Sequence, residues 1–259
     1  MNRNELMIEL LGDELHEALT TGSVVDPIST RFPNLDIEDG YAISKQLLSN
    51  RIIAGSRLVG KKIGLTNRKA QSYFGLDEPG FGYLMDTMAH PPGKSLCLDN
   101  LLIQPKIEVE IAFVLGEGLH GENCNAADVL DATEYLMCCF EIADCRIRDW
   151  RIGAVDFAAD NGCGGLFVLG DTHFEPGSID VQKCKMTLRE NGEIVSEGVG
   201  TDVFGSPANS VAWLARKLGK LEAGEIILSG SLGPVVSANS GSLFELDIAS
   251  MEALSIQIG

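Results

Sequence analysis

The chain has 259 residues, 45% of them hydrophobic, which is enough to bury a full core and excludes long-range disorder. A net charge of −17, from 20 Lys and Arg against 37 Asp and Glu, argues against nucleic acid or an anionic membrane surface as a partner. Seven cysteines without a CxxC pair read as reduced thiols of a cytoplasmic protein, and no apolar run approaches the roughly 20 residues that span a bilayer.

In chain order, Leu6, Leu10, Leu11, Leu15, Ala18 and Leu19 recur at helical spacing and predict an amphipathic helix ending near Gly22. This start is too acidic and too interrupted for a signal peptide. Asp36 is placed to cap a second helix that runs through Tyr41, Ile43 and Leu47 and stops at Gly55. Residues 57–66 read as a short glycine-bracketed strand, and residues 67–74 as a brief helix. Gly75 to Gly93, with four glycines and three prolines, reads as a long structured loop. Further on, a short helix over 125–130, strands over 134–143 and 166–169, and a hairpin about Asn191-Gly192 are expected. Ser206-Pro207 opens a helix, and short strands over 225–228, 243–248 and 254–258 close the chain. Helices first and strands later predict an α+β fold with a largely antiparallel sheet. The N-terminal layer is expected over residues 1–66 and the main unit over 67–259.

The stretch QPKIEVEIAFVL, residues 104–115, carries the chemistry. Its alternation is that of a strand with one face in the core, so Glu108 and Glu110 project side by side at about 6.5–7 Å. Two like charges beside a buried run repel unless a cation lies between them. Lys106 supplies one charge on that face, whereas a divalent metal would supply two. A third carboxylate, Glu141, follows the apolar run Tyr135 to Phe140. The pattern reads as a site for a hard cation held by Glu108, Glu110 and Glu141. The competing reading is an edge strand with a solvated acidic face. Three carboxylates without His or Cys suit Mg²⁺ or Mn²⁺ rather than zinc, and the four histidines are scattered.

Such a site needs a cation to accept an anionic substrate. Lys62, on the glycine-flanked strand, is the candidate, against a solvated lysine beside Lys61. Arg146 could bind a carboxylate with its planar fork or pair with Asp144 or Asp149. Asp160 and Asn161 begin a polar, glycine-rich turn. Ser229, Gly230, Ser231 and Leu232 form a second turn, whose free backbone N–H groups suit an oxyanion or carboxylate. Both turns read equally well as hairpin corners. GxxxxGK[ST] and GxSxG are absent, which disfavours a P-loop nucleotide site or a serine hydrolase.

Taken together, GKKIGLT (60–66), QPKIEVEIAFVL (104–115), FEIADCRIRDW (140–150), DFAADNGCGG (156–165), Ser206-Pro207-Ala208-Asn209 with VAWLA (211–215) and LSGSLGPVVSANSG (228–241) resemble the 2-keto-4-pentenoate (2-hydroxypenta-2,4-dienoate) hydratases. These belong to the fumarylacetoacetate hydrolase superfamily, and the resemblance runs from about residue 5 to the end. It implies a mixed, largely antiparallel β-sandwich or roll with an N-terminal helical layer, residues 67–259 being the catalytic domain. It also implies that Glu108, Glu110 and Glu141 bind Mg²⁺ or Mn²⁺ and that Lys62 is the active-site lysine. The implied reaction is addition of water to a 2-hydroxy-2,4-dienoate, giving a 4-hydroxy-2-oxo acid in meta-cleavage degradation of aromatic compounds. A homo-oligomer, with possible association with a pathway enzyme, is implied too.

One departure stands out. The family usually carries P-D-[FY]-G after the lysine strand, whereas Pro79 is followed here by Gly80-Phe81-Gly82. Glycine has no group to move a proton, so Asp77, Glu78, Asp86 and a metal-bound water remain open as substitutes. The departure lends weight to two rivals, a 4-oxalocrotonate-type decarboxylase of the same superfamily and a catalytically weak metal- and oxo-acid-binding partner subunit.

Overall fold

Periodic apolar residues build the first layer. The protein, described from a computed structural model over residues 3–98, 102–249, 251 and 253–259, begins with helices α1 (Arg3–Thr21), α2 (Ile28–Arg31) and α3 (Ile37–Ile53). Asp36 caps α3 as expected: its carboxylate accepts from Asp39 N, and the Asp39 carboxylate accepts from Asp36 N. Such a box stabilises a helix start by about 0.5–2 kcal/mol. Leu11 and Leu15 of α1 pack with Ile43 and Leu47 of α3 in one apolar cluster, which also holds Phe157.

After this layer come β1 (Leu58–Gly64), α4 (Arg68–Phe74), β2 (Gly80–Met85), β3 (Lys106–Leu115), β4 (Leu119–His120), α5 (Ala126–Ala132) and β5 (Thr133–Ala143). The second half holds α6 (Ala154–Ala159), β6 (Gly164–Leu169), β7 (Lys185–Glu190), β8 (Glu193–Val199) and α7 (Pro207–Leu218). It ends with β9 (Lys220–Leu221), β10 (Ile226–Leu228), β11 (Val236–Ser237), β12 (Leu243–Ile248) and β13 (Leu254–Gln257). The main sheet runs β2-β1-β10-β3-β5-β6, with β11 also pairing with β3. Within it β1 and β10 are parallel, and the other pairs are antiparallel. A second antiparallel sheet has the order β13-β12-β7-β8, and β4 pairs with β9. β1 lies within residues 1–66 and bonds to β2 and β10, so the N-terminal region and the remainder share one sheet.

β2 corrects the expectation of a continuous loop over 75–93. Its alternating glycines hide a strand from propensity, yet they are what the sheet needs there. Gly80 pairs with Gly64 and Gly82 with Lys62, presenting a nearly bare surface on one face. A Cβ at Gly82 would lie 2.2 Å from the Asn161 carbonyl oxygen, and one at Gly64 would lie 3.0 Å from the Phe157 ring. The 157–164 segment therefore lies directly on the sheet, which side chains at those positions would prevent.

The main sheet curls into a roll. β10 and β3 stand between β1 and β5 in the strand order, yet Lys62 of β1 touches Glu141 of β5. Leu84, Ala112, Val114, Met137, Phe167 and Leu228 fill one face. Val109, Ile111 and Phe113 leave the other face of β3 and join Val211 and Leu214 of α7 in the largest core. No helix among the described residues is long and apolar enough to cross a membrane.

Candidate metal centre

Strand register brings the three glutamates together. Glu108 and Glu110 share a face of β3, and Glu108 stands opposite Glu141 on β5. A carboxylate oxygen from each of the three lies within 4.8 Å of the others. Glu110 and Glu141 are both 0% exposed, while Glu108 is half-buried. Gly230 N donates to Glu110 Oε2 at 2.8 Å and Glu141 Oε1 meets the Lys62 ammonium, whereas Glu110 Oε1 and Glu141 Oε2 are buried without a hydrogen-bond partner. Unsatisfied buried carboxylate oxygens are costly, and their convergence within a trio of glutamates fits a hard divalent cation. A second cluster, Cys145, Asp160 and Cys163, offers no such donors, because Asp160 is bound to Arg146.

Lys62 completes the centre. Its Nζ lies 2.6 Å from Glu141 Oε1 and donates to the Gly162 carbonyl at 2.9 Å. Burial opposes its charge, but Glu141, Glu108 and Glu110 outweigh burial and hold the ammonium above the usual lysine range. Burial pushes the Glu141 carboxyl up to about 7, against the pull of Lys62. Burial, then Glu141 and Glu108, raise Glu110 well above the carboxylate range. Without an ion, Glu110 and Glu141 thus resist ionising together.

The remaining expected residues build the walls. Arg146 is 1% exposed, and its guanidinium donates to Asp160 Oδ1 at 2.6 Å, Asp160 O at 2.9 Å and Gly164 O at 3.0 Å. The Asn161 side chain accepts from Tyr83 N at 2.7 Å and donates to Tyr83 O at 2.9 Å, acting as one more rung beside β2. These three residues fasten the turn that carries Gly162 to Lys62. The second turn runs along β3: Ser229 N donates to Ile111 O and Leu232 N to Val109 O. Gly230, at φ 101°, turns its N–H onto Glu110. Ser231 Oγ donates to Gly233 O, and Leu232 is fully buried in the core.

Phe157 gave no signal in the sequence, yet it adjoins the departure at residue 80. A Cβ on Gly80 would meet Phe157 Cε1 at 2.4 Å and Tyr41 Oη at 3.3 Å. Nor are the neighbouring acids free: Glu78 is bonded to Trp213 and Lys217, and Asp86 to Arg57. Asp77 is exposed.

The family profile described as fumarylacetoacetate (FAA) hydrolase C-terminal matches residues 62–259, a span that opens on Lys62 and includes all three glutamates. The chain belongs to the fumarylacetoacetate hydrolase family. Among its relatives in that family, a 2-hydroxyhexa-2,4-dienoate hydratase of Comamonas testosteroni is 42% identical, over 96% of this chain and 97% of the relative. A 2-hydroxypent-2,4-dienoate hydratase of Pseudomonas putida is 44% identical, over 83% of this chain and 97% of its own. A solved family structure, 4-oxalocrotonate decarboxylase from Pseudomonas putida G7 complexed with magnesium and adipate, superposes with a TM-score of 0.95 at 26% identity. That superposition covers 100% of this chain and 99% of the decarboxylase.

Proposed function

We propose that the protein is a divalent-metal-dependent hydro-lyase that adds water to a 2-hydroxy-2,4-dienoate to give a 4-hydroxy-2-oxo acid. The observation that carries this reading is the trio of converging glutamates with orphaned buried oxygens beside Lys62. It occurs in a chain 42–44% identical to hydratases named for such substrates. Glu108, Glu110 and Glu141 would hold Mg²⁺ or Mn²⁺, which supplies Lewis acidity and a template for a chelating 2-oxo acid.

The chain's own groups do the rest. Gly230 N–H fixes the orientation of Glu110, and the Arg146–Asp160 pair fixes the turn that positions Lys62. The Lys62 ammonium, braced by Gly162 O, stabilises negative charge gathering on the C2 oxygen of the substrate. Loss of the proton from the C2 hydroxyl and gain of one at C5 give the 2-oxo-3-enoate. Water then forms a bond to C4 while a proton enters at C3.

A homo-oligomer, and association with an enzyme of the same pathway, belong to this reading through the family resemblance. A cytoplasmic location belongs to it too, in keeping with seven unbridged cysteines.

The decarboxylase reading keeps one specific support, the close full-length likeness to 4-oxalocrotonate decarboxylase. Incubation with 2-hydroxypentadienoate and with 4-oxalocrotonate, with and without Mg²⁺ or Mn²⁺, separates the two. The hydratase reading expects metal-dependent 4-hydroxy-2-oxopentanoate from the first. Release of CO₂ from the second with no hydration of the first refutes it.

A further inference from the structure

Lys106 opens β3, two residues before Glu108 and four before Glu110, so the three side chains leave one face of the strand. Neighbours in that row stand about 6.5–7 Å apart. Burial falls along it, from Glu110, which is fully buried, to the half-buried Glu108 and Lys106. The row of carboxylates therefore opens outward at the lysine end.

The ammonium there is held in place. Lys106 Nζ lies 3.9 Å from the centre of the Trp150 ring. The indole is held in turn, its N–H donating to Gln104 O at 3.0 Å. The Gln104 side chain accepts from Asp149 N at 2.8 Å and donates to Cys145 O at 2.7 Å and Ile147 O at 2.9 Å. Asp149 and Trp150 both take left-handed backbone, at φ 59° and 54°. For residues with side chains that costs about 1–2 kcal/mol each. A strained and cross-braced turn thus offers one indole face to one lysine. No carboxylate among the described residues forms an ion pair with that lysine.

Charge balance says what such a lysine is for. Three glutamates, the Lys62 ammonium and a divalent ion add up to no net charge. Lys106 leaves a single positive charge at the rim, which matches the one carboxylate of a 2-hydroxy-2,4-dienoate. A lysine serving only to offset Glu108 would be expected to pair with it, and it does not.

We propose that Lys106 is a substrate-binding residue whose ammonium, braced on Trp150, pairs with the C1 carboxylate of the dienoate. The inference rests on the hydratase reading above. The carboxylate bears the same charge before and during hydration, so the pairing stabilises ground and transition states alike and acts on KM rather than kcat.

The test compares Lys106→Met, Lys106→Arg and Trp150→Leu with wild type at saturating Mn²⁺. The readouts are KM and kcat for 2-hydroxypentadienoate, together with oxalate and Mn²⁺ affinities by calorimetry. For Lys106→Met a lost charge-assisted hydrogen bond raises KM by about 10- to 100-fold, with kcat held within about threefold. Oxalate binding weakens by a similar factor, while Mn²⁺ binding stays the same or tightens. Lys106→Arg recovers most of the loss, and Trp150→Leu raises KM by a smaller factor. A Lys106→Met enzyme with wild-type KM and oxalate affinity overturns the proposal. So does one in which Mn²⁺ affinity and melting temperature fall with KM, since that marks a structural role. If wild type neither hydrates the dienoate nor binds oxalate, the hydratase reading fails and takes this one with it.

Discussion

Glu108 on β3 and Glu141 on β5 face one another as direct partners in the antiparallel register. Side chains so placed have Cβ atoms about 4.5–5.5 Å apart, and like charges there repel. The repulsion is concentrated where burial has already raised both Glu110 and Glu141.

Stability of the metal-free protein should therefore fall as pH rises. Glu141 ionises near its ordinary value in the unfolded chain but at about 7 in the fold. Between those values the folded state holds the extra proton, so its contribution is complete below the unfolded value and lost as pH passes through about 7. Melting temperatures taken in chelator from pH 5 to 8 should decline, and saturating Mg²⁺ or Mn²⁺ should remove most of the decline. A flat metal-free profile contradicts the geometry.

Glu110→Gln replaces a buried carboxyl whose charge is disfavoured. At pH 8 the metal-free variant is expected to melt no lower than wild type. Its gain on adding metal should vanish, where wild type at 100 times Kd gains about 2.7 kcal/mol. Calorimetry of both proteins with and without Mn²⁺ reads the difference directly.

Lys62→Met removes the cation between Glu141 and Gly162. Loss of one charge-stabilising donor lowers kcat by about 10²–10³. Metal affinity should hold or rise, because a repelling charge has gone. A variant that loses metal instead would make Lys62 a structural prop.

Gly80→Asp puts a side chain where the Phe157 ring stands, since even a Cβ would lie 2.4 Å from it. Overpacking of this kind costs about 1–3 kcal/mol. Paired with Phe157→Ala, the substitution should cost less than the two separate losses added together. Urea melts of the four proteins in the cycle give the coupling.

Arg146→Lys keeps the charge and loses the planar fork that binds Asp160 and Gly164. Disrupting a buried pair of this sort costs up to about 3–5 kcal/mol. The expected result is a lower melting temperature with KM largely kept. A selective rise in KM would return Arg146 to the substrate.

Much of this was legible in the chain itself. The alternation of residues 106–111 announced a half-buried strand, and Asp36 and Ser206-Pro207 announced their helices. β2 was not legible, because glycines lower strand propensity wherever they occur, and only the packing of Phe157 and Asn161 shows why they are there. The meeting of Lys62 with Glu141 was equally hidden. It depends on how far the sheet curls, and no local period encodes that. Arg146 could be read either as a ligand for substrate or as a partner of Asp144 or Asp149; it pairs with Asp144 at 3.7 Å and more closely with Asp160, fourteen residues on, which was not foreseen.

The parallel pairing of β1 with β10 sets Lys62 beside Leu228. Contacts this distant along the chain form late and slowly. A growing polypeptide that has passed Glu141 already holds every acidic group of the centre, but β1 still lacks its parallel neighbour and Glu110 its N–H donor from Gly230. The centre is therefore complete only once residues 226–230 have joined β1 and Glu110, so its geometry depends on a closure that spans most of the described chain.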